Sequence, residues 1–370
     1  ATDYTERRAV VRVDVRTLPM GRSTVAFSLR DRKTGAVRTE DRATRVVERL
    51  DKVPARRVSV DRLNRLIVDG KPFFPLGLFW SEKTLKEEDL AEYARSPFNC
   101  LLNYHQQGKD GMDACQRHGL KVIYTIEGVW GLGCRFTNEE SIVTWTRDSV
   151  LRHKDHPALL AWYMNDERGQ TYVPQLAKRQ ALVRELDPEH PTYTVLYQLQ
   201  ILDKYMDTYD IIGTDPYPIG SDDNDYDRCA KWAEAAVNGS FGVRPVWQVP
   251  QVFDWGVYWK NKVKKTRMPS ARELKNMFWQ AVACGANGLI GYSHFDIRRM
   301  DWKNPKDKVW ADVCEAAEEI RAYAPVILSG DAPPTVTTDN PSVRVRAWRD
   351  GKTVHVLAVN TKDVPAKATR

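Results

Sequence analysis

The chain has 370 residues, 42 % hydrophobic and 10 % aromatic, which is enough apolar material for a sizeable core and argues against global disorder. Lys and Arg outnumber Asp and Glu by 56 to 49, a net charge of +7. No recognition helix, zinc-finger spacing or RNA-binding aromatic signature accompanies that excess, so no nucleic-acid partner is expected. No run of about 18 apolar residues is present, so no membrane-spanning helix is expected, and no signal peptide is visible at Ala1.

Residues 1–65 alternate apolar and polar, as in Val10-Val11-Arg12-Val13-Asp14-Val15 and Thr24-Val25-Ala26-Phe27-Ser28-Leu29, with a turn at Asp31-Arg32-Lys33-Thr34-Gly35. Period-two alternation with turn signals predicts the hairpins of a β-sandwich-like domain, and its first residues look like the middle of one. Residues 66–330 alternate short apolar runs with helical stretches. Candidate strands are 73–79, 98–104, 121–127, 159–165, 192–197, 209–215, 245–252 and 288–293. Parallel strands need crossovers and helices supply them, so this repetition predicts an α/β fold, a (β/α)8 TIM barrel. A doubly wound open sheet is the alternative, but no GxGxxG or GxxxxGK[ST] turn supports it. Over 331–370 two alternating runs flank Arg349-Asp350-Gly351-Lys352 and predict a small C-terminal β-unit, part of a sandwich. The six cysteines show no metal-ligand spacing, and the seven His form no HxH or HExxH, so neither a metal nor a cofactor is expected. Cys100 and Cys284 lie in apolar stretches and read as buried thiols.

Four segments carry a resemblance. Leu66-Ile67-Val68-Asp69-Gly70-Lys71-Pro72-Phe73-Phe74-Pro75-Leu76-Gly77 resembles the hairpin through which family 2 glycoside hydrolases pass from a β-sandwich into barrel strand 1. His156-Pro157-Ala158-Leu159-Leu160-Ala161-Trp162-Tyr163-Met164-Asn165-Asp166-Glu167 is similar to the strand 4 signature of clan A glycoside hydrolases. On that pattern Glu167 falls on the general acid/base, and Asp166 replaces the usual Asn. The Asp-Glu ending also resembles the hexosaminidases of families 20 and 123. Tyr209 to Pro218 resembles strand 6 of such barrels, and Glu273 to Tyr292 their helix 7 and strand 8. The resemblance covers 66–295 and implies a glycosidase acting on O-glycosidic bonds of an oligo- or polysaccharide. It departs at strand 7, where Arg244 to Phe253 holds no carboxylate and Gln251 stands near the place of the nucleophilic Glu. An amide cannot form a glycosyl ester, so the ordinary retaining route is not expected. The alternative is a non-catalytic carbohydrate-binding barrel that has lost its nucleophile.

Glycosidic cleavage needs a proton donor to the leaving oxygen and a group that stabilises or traps the oxocarbenium-like carbon. Glu167 suits the donor, with the neighbouring Asp166 carboxylate raising its pKa; the plainer role for such a pair is to cap a helix. The second carboxyl has several candidates. Asp166 would orient a substrate 2-acetamido group if the strand bends or ends before it, because successive strand residues face opposite ways. Glu127 would act as nucleophile or as water-activating base. Asp215 and Asp254 are further possibilities. Tyr217, Asp215, Gln251, Trp80, Trp130, Trp255 and His294 all follow or end predicted strands, the catalytic face of a barrel, where they would bind or stack on sugars. The basic run Lys260-Asn261-Lys262-Val263-Lys264-Lys265-Thr266-Arg267 lies in a βα loop and would suit uronic or sulfated sugars. The expected partner is therefore a carbohydrate, acidic or N-acetylated, and that role favours a secreted or periplasmic location.

Overall fold

The computed structural model describes residues 2–5, 8–11, 13–28, 30–37, 43–49, 56–128, 138–220, 224–259, 266–299 and 305–365. The chain divides into two compact units, Ala1–Ala55 and Arg56–Arg370.

In the first unit β1 (Thr2–Thr5) pairs antiparallel with β2 (Arg8–Val11), and β3 (Gly21–Phe27) with β4 (Ala43–Arg49). The expected turn at 31–35 is present: Asp31 Oδ1 accepts from the amides of Lys33 and Thr34, and Gly35 takes φ 70°. The described strands make two separate two-stranded sheets.

The second unit begins with a small antiparallel sheet of β5 (Val58–Val60), β6 (Leu66–Val68) and β7 (Lys71–Phe73). Asp69 and Gly70 join β6 to β7 with φ of 48° and 78°, the paired left-handed geometry that matches the natural twist of a two-residue hairpin. This sheet groups with the barrel, so the division between units falls at residue 55 and not at 65.

The eight barrel strands follow in order: β8 (Leu76–Trp80), β9 (Cys100–Asn103), β10 (Lys121–Thr125), β11 (Leu159–Asp166), β12 (Thr192–Val195), β13 (Ile211–Gly213), β14 (Trp247–Gln248) and β15 (Gly288–Gly291). Each lies in its expected window except for a residue at the end of β8 and of β11. All neighbours are parallel, and β15 pairs with β8. A parallel bridge from Ile212 to Val246, with the Val249 amide on the Thr214 carbonyl at 2.9 Å, joins β13 to β14 and closes the ring.

Helices α1 (Glu87–Ala94), α2 (Lys109–Arg117), α3 (Glu139–His153), α4 (Val173–Leu186), α5 (Arg228–Gly239), α6 (Ala271–Ala283), the short α7 (His294–Ile297) and α8 (Lys306–Ile327) supply the connections. Between β12 and β13 the crossover is 3₁₀ turns over Leu199–Tyr205. The hairpin β16 (Val343–Asp350) and β17 (Thr353–Asn360) packs on α6 and α8.

Two apolar layers hold the barrel. The interior is filled by Phe79, Leu102, Ile123, Tyr163, Tyr193, Trp247 and Ile290; Val58, Leu66 and Val68 belong to the same cluster, so the β5–β6 hairpin plugs the N-terminal end. Trp162, Met164 and Ile212 face the outer layer with Leu90, Val150, Phe278 and Ile320 of the helices. Burying a large side chain of this kind contributes about 1.5–3 kcal/mol. Trp162 keeps its polar handle satisfied, since its indole N–H donates to buried Asp187 at 2.8 Å. Cys100 is buried, whereas Cys284 is partly exposed.

Candidate active site

The site is built from an irregularity in strand 4. The β11–β12 register shifts between Tyr163 and Asn165. Such a bulge adds a residue and re-aims the side chains beyond it. Tyr163 points into the barrel and Met164 outward, and Asp166 then reaches the mouth, where it accepts the Tyr104 hydroxyl at 3.0 Å. Glu167 follows with φ 56°, a left-handed conformation that costs a non-glycine residue energy. Its neighbours hold it there: its amide donates to the Val195 carbonyl at 2.9 Å, and its carbonyl accepts from Gln198 Nε2 at 3.2 Å. The Glu167 side chain is exposed.

Four carboxyls gather at the C-terminal ends of barrel strands 3, 4 and 6. Asp215 is buried, and burial, followed by the nearby carboxyls of Glu167 and Asp166, holds it well above the usual carboxylate range. Neighbouring carboxyls cannot all ionise cheaply, and the buried one is the one whose charge is penalised most. Glu167 acts on both neighbours: its charge raises Asp166, which turns towards Tyr104, and it stands close enough to raise Asp215 as well. Asp166 is also raised, by burial and then by the Glu167 charge, against the opposing effect of the nearby Tyr163 hydroxyl and the hydrogen bond from Tyr104. Glu127 is raised by burial and by Asp166, and is opposed by Arg168 and Arg179. Arg168 lies 3.7 Å from Glu127. Arg179 is buried on α4, its Nε on Thr146 Oγ1 at 3.2 Å, and burial pulls its pKa down to about 9.

Aromatic rings surround these carboxyls. Tyr217 is half-buried, with its ring 5.0 Å from Phe253, 5.7 Å from Tyr292 and 6.0 Å from Trp255. Burial and the nearby Asp215 push its phenol well up. Tyr104 and Tyr292 were not singled out in the sequence. The signal was available: each stands at the C-terminal end of a candidate strand, where a barrel places its functional groups.

Other candidates lie elsewhere. Trp80 is fully buried and stacks on His294 at 3.8 Å, with Tyr93 edge-on at 5.1 Å. Burial pushes His294 down to about 3, so it is neutral packing. Gln251 is fully buried: its Nε2 donates to the carbonyls of Ile219 at 2.8 Å and Phe253 at 2.9 Å, and its Oε1 accepts the Ile219 amide at 2.9 Å. It fastens the loop after strand 6 to strand 7. The rings of Trp80 and His294 cover each other and the Gln251 amide is engaged by backbone groups, while Trp80 Nε1 and His294 Nδ1 have no hydrogen-bond partner among the described residues. Asp254 is buried and caps the Gly256 amide at 2.7 Å. Trp130 and Lys260 to Lys265 lie outside the described residues; Arg267, at the end of the basic run, forks onto Glu273 with both contacts at 2.6 Å.

A closed parallel barrel with small antiparallel sheets places the chain in the TIM-barrel class, and its neighbours among solved structures are glycoside hydrolases. One titled "Glycoside hydrolase" superposes with a TM-score of 0.60 at 14 % identity, covering 81 % of this chain and 82 % of the other. A glycoside hydrolase family 5 protein from Bacteroides vulgatus gives 0.59 at 15 %, covering 81 % and 79 %. A β-glucuronidase from an uncultured Clostridium gives 0.50 at 12 %, covering 86 % and 67 %. Identities this low speak for the fold alone. No protein-family model and no curated sequence matches the chain.

Proposed function

We propose that the protein is a glycoside hydrolase in which Glu167 protonates the leaving glycosidic oxygen. The observation that carries this is the gathering of exposed Glu167 with buried Asp215, Asp166 and Glu127 at the C-terminal ends of barrel strands 3, 4 and 6, where burial and the neighbouring carboxyls hold Asp215 well above the usual carboxylate range. A buried carboxyl held above its usual range beside exposed Glu167 favours a proton at the mouth, where general acid catalysis requires one. Asp166, oriented by Tyr104, stabilises the positive charge that develops on the sugar. Gln251 offers no nucleophile and has no spare donor, so no glycosyl ester forms on strand 7. Displacement comes instead from water activated by Glu127 or from a substrate 2-acetamido group steadied by Asp166. Arg168 beside Glu127, together with the basic run 260–267, favours an acidic or N-acetylated sugar.

A screen of aryl-glycosides and polysaccharides tests the reading: turnover that disappears in Glu167→Gln supports it. Strict demand for a 2-acetamido group points to Asp166, and brisk cleavage of plain 2-hydroxyl sugars to Glu127. The engaged Gln251 amide favours a second reading, a carbohydrate-binding barrel without catalysis, for which the screen would find binding and no turnover.

A further inference from the structure

After β14 the chain enters a 3₁₀ turn, Trp255–Val257, and continues to Tyr258 and Trp259. The two described stems of this loop stand close together: a Cβ on Gly256 would lie 2.6 Å from Thr266 Oγ1. The returning stem is fixed by the Arg267–Glu273 fork, and Glu273 also completes the capping box with Ser270 at the start of α6.

On the outgoing stem Trp255 and Trp259 stack with centroids 4.1 Å apart and planes 14° from parallel. Trp255 meets Phe253 at 5.0 Å and Tyr217 at 6.0 Å, both edge-on, which sets the pair beside the carboxyl-bearing mouth. Both indoles are half-buried. Among the described residues Trp255 is the only ring that Trp259 touches.

Between the two indoles, Tyr258 is 44 % exposed, yet its hydroxyl reaches inward to Asp296 Oδ2 at 2.6 Å and stands 3.4 Å from the Tyr292 hydroxyl. Asp296 is fully buried on α7, and the same oxygen accepts Ser293 Oγ at 2.6 Å. A buried carboxyl is costly unless it is hydrogen-bonded, so the phenol and the carboxyl depend on each other.

We propose that Trp255 and Trp259 form an accessory sugar-stacking subsite at the rim of the mouth, tethered by the Tyr258–Asp296 hydrogen bond. Its occupant is a pyranosyl ring of an oligosaccharide, lying beyond the bond held at Glu167. The apolar C–H face of a pyranose fits a flat indole, and a tether matters because a platform that moves gives back in ordering entropy what it gains in contact. The proposal rests on the glycosidase reading.

The test measures binding of chitohexaose, cellohexaose and hexagalacturonate, and of the corresponding disaccharides, by calorimetry and tryptophan fluorescence. The proteins compared are the wild type, Tyr258→Phe, Trp259→Ala and the double variant. For whichever hexasaccharide binds, Tyr258→Phe should weaken the affinity about tenfold, the scale of one lost hydrogen bond to a charged acceptor. Trp259→Ala should do at least as much, and the double variant no more than Trp259→Ala. Disaccharide affinity and kcat on an aryl-glycoside should stay unchanged, a split that mere loss of stability would not produce. Hexasaccharide binding unaltered in both single variants overturns the subsite and leaves the glycosidase reading standing. A wild type that binds no sugar overturns both.

Discussion

Replacing Gln251 with Glu would put a carboxylate where clan A barrels carry their nucleophile, and the structure predicts that this damages the fold and restores no chemistry. The Gln251 amide gives two hydrogen bonds, to the carbonyls of Ile219 and Phe253, and takes one from the Ile219 amide. A charged Glu keeps only the last. It strands two buried carbonyls, each costing about 1–3 kcal/mol, and faces them with a negative charge in a site of zero exposure. The expected loss is about 3–6 kcal/mol, a large share of the stability of an ordinary domain. Protonation would return one donor, so the folded-state pKa of this Glu lies above its unfolded value near about 4.3. The variant is then least impaired below that value and loses stability as pH rises. Urea denaturation of wild type and Gln251→Glu at pH 4.5 and 7.5 measures the effect, with a mechanism-based fluoro-sugar as the chemical probe. A variant with the wild-type midpoint at pH 7.5, or one labelled at residue 251, would refute the reasoning.

Glu167→Gln should lower turnover by about 10²–10⁴-fold with no loss of thermal stability; near-native rates on an unactivated substrate would remove Glu167 from the mechanism. Asp215→Asn should raise the melting temperature at pH 7. Asp215 holds its proton in the fold well above its unfolded pKa, so its contribution is greatest at low pH and declines as pH rises through the folded value. A melting curve series in which the variant is less stable at pH 7, with an unchanged pH slope, would contradict this. Gly213→Ala should be strongly destabilising, because its Cβ would stand 2.5 Å from the Tyr193 hydroxyl and 2.7 Å from the Trp247 carbonyl, a pair now joined at 2.9 Å; equal urea midpoints for variant and wild type would count against it.

Period and order were legible in the sequence, because burial on both faces leaves parallel strands as short apolar runs, and each of the eight windows holds one. The shortness of β13 and β14 was not. The Pro245–Val252 window is apolar except for Gln248 and Gln251, but only Trp247–Gln248 pairs as a regular strand, and Gln251 beyond it turns inward to fasten the loop after strand 6. The place of Glu167 just past the end of strand 4 was readable from the motif around it. The nearness of Asp215 was not, because the two residues lie 48 positions apart across a closed ring, and no local pattern encodes it. The stacking of Trp80 on His294 was not legible for a related reason: a residue at a strand end faces either the mouth or the outer layer, and both types suit either place. Tyr104 and Tyr292 were passed over because a tyrosine at a strand end is equally common as packing.

The extra residue in β11 also governs how this chain can be compared with others. Against a barrel whose fourth strand runs on without that bulge, matching residue for residue from Tyr163 carries every position beyond it one step out of phase. An Asp that faces the mouth here would be matched with a side chain that faces the helices there. Roles for Asp166 and Glu167 therefore transfer by superposed position and direction, and a count along the strand would assign them to the wrong partners.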